Sequence, residues 1–142
     1  RDLGDGLNEL DRVEEAEAAY SKGAQLNPDE PSIPLSRGWY AYMRGDLDSA
    51  EMHYRAAMEI EPAYPWPYFN VALLRLLRGD AEEAVQAYET ALALSPDWFI
   101  DPAMAYDEAL SDLDDLVARH PELEESARPL RQMVEQALGE EE

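Results

Sequence analysis

The chain has 142 residues, with 32 acidic side chains against 11 basic ones, a formal charge of −21 and no cysteine. That length holds one domain or a short array, and the missing thiols exclude a disulfide framework, a cysteine-based zinc site and a thiol nucleophile. So negative a field repels phosphate backbones and anionic membrane surfaces, which argues against nucleic acid and membrane as partners.

Taken in order, Leu3, Leu7 and Leu10 fall on one face of a helix over residues 1–10. Asp11 and Glu14 are placed to cap a second helix that runs to Leu26, before the break at Asn27-Pro28-Asp29-Glu30-Pro31. A helix hairpin is expected from about Ser32 to Ile60, and another from about Trp66 to Leu94, after the proline-rich connector 62–67.

These segments repeat. Gly45-Asp46-Leu47-Asp48-Ser49-Ala50 returns 34 residues later as Gly79-Asp80-Ala81-Glu82-Glu83-Ala84. At the same offset stand Ala16, Ala50 and Ala84, then Tyr20, Tyr54 and Tyr88, and then Pro28, Pro62 and Pro96. Gly45 and Gly79 suit a left-handed helix end. Asp46 and Asp80 suit the N-cap of the helix that follows, and Asp80 with Glu83 fits a capping box. The alanines let two backbones approach, the tyrosines fill the remaining gap, and the prolines stop the second helix of each pair.

In period and motif this resembles the tetratricopeptide repeat. Gly38 and Ala72 match the small residue that packs one helix of the family's hairpin on the other, and Tyr68 matches its aromatic near the start. The resemblance implies an all-α fold. Three hairpins, over about 1–28, 29–62 and 63–96, would stack into a right-handed superhelical solenoid, closed by capping helices and an acidic tail over 101–142. This sequence departs from the pattern at Arg37, where the family has a core leucine, at Pro34, where it has an aromatic, and at Asp11, where it has the turn glycine. By phase the chain starts several residues into the first repeat, so a truncated N-terminus is expected.

Past Pro96 the phase is lost. Asp101-Pro102 reads as a helix start, and a stripe from Ala103 through Tyr106, Leu113 and Leu116 to Val117 ends at His120-Pro121. A second stripe runs from Leu123 to Leu138 with Pro129 inside it, so the helix either kinks there or begins near Ser126. Residues 101–142 carry 13 acids and 3 bases, as suits the polar outer face of a solenoid cap.

No catalytic set stands out, and the protein reads as non-enzymatic, without cofactor or metal. His53 and His120 have no His or Cys at ligand spacing, and Asp112, Asp114 and Asp115 spread around a helix without the glycine-centred loop of a calcium site. In the family the first helix of each hairpin lines a concave groove. By phase the lining here would be Leu35, Ser36, Trp39, Tyr42 and Met43, then Trp66, Phe69, Asn70, Leu73, Leu76 and Leu77. An exposed wall that apolar and aromatic would mark a binding site.

The function expected is therefore a scaffold or adaptor that holds a basic or apolar protein segment. The alternatives are a homo-oligomer formed through the same groove, an accessory domain of a larger enzyme, and a groove filled by the chain's own C-terminal helices. The carboxylate clamp of the family's chaperone-binding members is not expected: the matching positions hold Arg1, Asp5, Ser36, Trp66 and Asn70, and Asp5 would repel a carboxylate. The acidity admits two readings, a surface that draws a basic partner or the solvated, self-repelling surface of a halophile. No apolar run approaches the roughly 20 residues of a membrane span, and no secretory signal is visible, so a cytoplasmic location is expected.

Overall fold

The computed structural model describes the backbone of residues 3–141 and the side chains of residue 12 and residues 14–141. Among the described residues there are seven α-helices, one short 3₁₀ helix and no strand. The chain divides into two compact units, Arg1–Pro62 and Ala63–Glu142.

The N-terminal unit holds α1 (Leu3–Leu26), α2 (Ser32–Met43) and α3 (Leu47–Ile60), with α2 packed on both α1 and α3. The turn between α2 and α3 is built on Gly45 at φ +83°. The Gly45 N–H donates to the Tyr42 carbonyl at 2.9 Å, and the Asp46 N–H to that of Ala41 at 2.9 Å. That paired closure is the Schellman motif, and it needs a residue free to take positive φ. The Asp46 carboxylate then accepts from the Ser49 N–H at 3.2 Å and caps α3. Ala50, Tyr54 and Ala57 on α3 are buried, as are Ala41 and Tyr42 on α2. Gly38 is a point of close approach: a β-carbon there would lie 2.5 Å from the Tyr54 ring.

The C-terminal unit repeats the device. Its helices are α4 (Trp66–Leu77), α5 (Ala81–Trp98), α6 (Pro102–Arg119) and α7 (Glu124–Glu141), with the 3₁₀ turn Pro121–Leu123 before α7. Gly79 has φ +84°, and the Gly79 and Asp80 N–H groups donate to the carbonyls of Leu76 at 3.1 Å and Arg75 at 2.8 Å. The α4–α5 hairpin is joined by the α6–α7 pair, which packs through α7 on α5. Tyr88, Tyr106, Leu113, Leu116, Leu130 and Val134 are buried.

Three local expectations are corrected. The turn expected at Asp11 is not formed, and α1 runs unbroken from Leu3 to Leu26; Asp lacks the conformational freedom that Gly45 and Gly79 supply at the same phase, and nothing nearby blocks a helix. The capping box of Asp80 with Glu83 is absent. The N–H that Glu83 would accept is already given to Arg75, and the Glu83 carboxylate turns to the Arg75 guanidinium at 3.5 Å. Pro96 does not stop α5, which continues through it to Trp98. The Ser95 hydroxyl donates to the Ala91 carbonyl at 2.6 Å, and the Phe99 N–H to that of Ser95 at 2.9 Å, which hold the last turn around the missing donor. Of the two readings of the last apolar stripe, a helix that runs through the proline is the one formed: α7 spans Glu124–Glu141 with Pro129 inside it, after the 3₁₀ turn Pro121–Leu123.

Candidate interaction surface

The residues expected to line the groove lie on α2 and α4, the first helices of the two glycine-closed hairpins. Their environments differ. On α2, Leu35, Ser36 and Trp39 are half-buried, Tyr42 is buried and Met43 is 52% exposed. Trp39 and Tyr42 stack at 5.2 Å between ring centres, one turn apart on one face of the helix. Alongside them Arg37 pairs with Glu17 of α1 at 3.0 Å. The departure from a core leucine thus becomes an interhelical ion pair.

On α4 the expected open wall is mostly core. Phe69, Asn70, Leu73 and Leu76 are 2%, 6%, 1% and 1% exposed, which leaves Trp66 and Leu77 half-buried. The aromatic packing shows one cause: Phe69 sets its ring edge-on to Tyr88 of α5 at 5.3 Å, and Trp66 lies against Phe69 at 5.4 Å and Phe99 at 5.7 Å. Helix α6 also touches α4. Hence the exposed member of the expected lining is Met43 of α2, with Trp39 half-buried beside it, whereas Trp66 and Phe69 of α4 pack on aromatics of their own unit.

Of the clamp positions, Arg1 and Asp5 lie outside the residues whose side chains are described. Ser36 is half-buried, Trp66 is turned into an aromatic cluster and Asn70 is buried.

The histidines and aspartates singled out in the sequence are dispersed. His53 on α3 has its pKa lowered by burial, with the nearby Arg37 charge adding to the effect. His120 caps the end of α6, with Nδ1 3.5 Å from Glu122. Asp114 forms a 2.8 Å ion pair with Arg131 of α7, and Glu124 joins it at 3.2 Å. Asp112 is half-buried; burial, and then the charges of Glu108 and Asp115, push its pKa up to about 6. No group of three or more potential ligands is arranged to hold a metal among the described residues, and no described helix is long and apolar enough to cross a membrane.

The structure also exposes apolar side chains that the repeat phase did not single out. Trp98, Ile100 and Met104 stand at the α5–α6 connection, with Trp98 5.3 Å from Tyr64. They follow the point where the 34-residue period ends, so phase carried no information about them.

The tetratricopeptide-repeat family profile matches residues 67–97, the α4–α5 hairpin. TPR repeat-containing protein PA4667 of Pseudomonas aeruginosa is 41% identical over 51 residues, 36% of this chain. The chain spans only 9% of the length of that curated relative. Among solved structures, the first TPR of Spaghetti (RPAP3), bound to the HSP90 peptide SRMEEVD, is similar with a TM-score of 0.58 at 24% identity, over 83% of this chain and 87% of that one. The repeated glycine-closed hairpins, the matched profile and the shared fold agree: the α4–α5 hairpin matches a tetratricopeptide repeat, and the chain is similar in fold to a tetratricopeptide-repeat domain.

Proposed function

We propose that this chain is a non-enzymatic interaction unit that holds an apolar segment of a partner protein against α2. The observation that carries this reading is the half-buried Trp39 and exposed Met43 beside Tyr42 on the first helix of a tetratricopeptide-like hairpin. Aromatic and methionine side chains of that kind dominate interface cores. The similar fold seen with a bound HSP90 peptide supports a peptide or protein partner in general. The partner's chemistry is another matter. SRMEEVD is acidic, and a surface at −21 with Trp66 and a buried Asn70 at the clamp positions disfavours it. An apolar or basic segment is the better match. Leu35 and Ser36 flank the aromatic pair on α2; on α4, taken by itself, Trp66 and Leu77 are the half-buried members of the expected set. Phe69, Asn70, Leu73 and Leu76 are buried in the C-terminal unit.

The test is affinity capture with the full chain, followed by quantitative binding of the captured protein to Trp39→Ala and Met43→Ala variants. A central aromatic anchor contributes roughly 2–4 kcal/mol. Trp39→Ala is therefore expected to weaken binding at least about thirtyfold, with helical content retained. Unchanged affinity in both variants, or tight binding of SRMEEVD, would reject the reading. A concentration-dependent mass abolished by Trp39→Glu would show that a second copy occupies the surface instead.

A further inference from the structure

A cleft of about 330 Å³ opens among α5, α6 and α7. It contains no residue of α2 or α4 and is independent of the surface proposed above. Its walls are apolar, with Leu92 and Pro96 from α5 and Met133 from α7, and Tyr106 of α6 also lines it. Its charged lining is anionic: Glu89 comes from α5, and Glu140 and Glu141 come from the end of α7, with the neutral amide of Gln136 beside them. No basic side chain lines it, and these three glutamates enter no ion pair among the described residues. Tyr106 is buried, and burial together with the nearby Glu141 and Glu140 charges holds its phenol above the ordinary value, against a lowering bond with Ser95.

The shape and the charge select one kind of occupant. An apolar channel with carboxylates suits a side chain with an aliphatic stem and a cationic head. The stem can lie along Leu92 and Met133 while the head meets the glutamates. The volume is at the small end of ligand sites, enough for one long side chain and too little for a helix. Arginine fits better than lysine, because its planar fork bonds more than one carboxylate at once and is more weakly hydrated. A second copy of a chain at −21 is disfavoured by like charge.

We propose that the α5–α6–α7 cleft is a pocket for an arginine side chain carried on a cationic partner segment. The probe is a twelve-residue peptide of alternating leucine and arginine, added to the full chain labelled at its methionine methyl groups. The Met133 methyl resonance is expected to move on titration. Glu89→Gln/Glu140→Gln/Glu141→Gln should weaken binding about tenfold, since each exposed ion pair contributes a modest factor. A control triple outside the cleft, Glu82→Gln/Glu122→Gln/Glu125→Gln, should change it by no more than about twofold, the share due to screened long-range charge. The same peptide with citrulline for arginine should bind as weakly to the parent chain as arginine peptide binds to the cleft variant. Equal losses in the two triples, an unmoved Met133, or equal binding of a lysine peptide or of spermidine in place of the arginine peptide would each overturn the proposal.

Discussion

Gly38 and Gly79 show that glycines at two phases of the repeat serve different ends. At Gly79 a side chain would meet nothing within 4 Å, and the demand is on the backbone, at φ +84°. At Gly38 the backbone is helical and the demand is on space, because a β-carbon would lie 2.5 Å and 2.6 Å from carbons of the fully buried Tyr54 ring. Alanine would ordinarily gain about 1 kcal/mol over glycine inside a helix. Here the clash outweighs that gain, and Gly38→Ala should destabilise the N-terminal unit by about 1–3 kcal/mol net. Denaturant titration would show it, and a stabilised variant would mean that α2 and α3 separate freely. Asp112 offers a pH-dependent counterpart. Its folded-state pKa of about 6 lies above the ordinary 3.8, so the native state binds this proton more tightly than the unfolded chain. The associated stability is complete below about pH 4 and is lost as pH rises through 6. Discounted for partial exposure, the penalty at neutral pH is about 1 kcal/mol. Asp112→Asn should therefore raise the Tm of the C-terminal unit by about 4–8 °C at pH 7 and leave it unchanged at pH 4. A gain of the same size at both pH values would assign the effect to something other than this carboxyl.

At the scale of the element, the hairpins were legible because the residues that close them act locally. Gly45 and Gly79 sit where positive φ is needed, and Tyr54 and Tyr88 return at the same phase to fill the same gap. The failures also have local causes. Phase placed a turn at Asp11, but phase is only a correlation, and the residue there cannot easily perform the turn. Proline at 96 suggested a stop, yet the Ser95 hydroxyl and backbone carry α5 past it. Nor could periodicity show that Phe69 and Leu73 would be buried: it identifies a face and not what covers that face. Arg37 is the converse case, a charge where the family pattern has a leucine, made compatible by Glu17 on α1. Because α1 packs on α2, this pair bears on how firmly α1 is held. Arg37→Ala should raise hydrogen-exchange rates through the described part of α1 severalfold while α3 keeps its protection. Equal rates in variant and parent would show that apolar contacts alone hold α1.

For the whole molecule the dominant quantity is charge. Thirty-two acids against 11 bases make the folded chain self-repelling, and ion pairs such as Arg55–Glu51 and His120–Glu122 sit at exposed positions, where each is worth little. Salt shortens the screening length from about 30 Å at 0.01 M to about 8 Å at 0.15 M. The Tm should accordingly rise by several degrees over that range, and a flat or falling curve would mean that the carboxylates are already neutralised locally. The acidic character, the repeat and the all-α class were all legible in composition and spacing. The cleft among α5, α6 and α7 was not, because its walls come from helices on both sides of the point where the period ends.

The glycine turns have a kinetic consequence as well. Each joins two helices that are consecutive in the chain across three residues, so α2 meets α3, and α4 meets α5, with almost no loop to close. Contacts that local place a protein among the fast folders, on the scale of microseconds to milliseconds. Each hairpin can then form before its neighbours do, and synthesis from the N-terminus would meet a chain that organises one turn of glycine at a time.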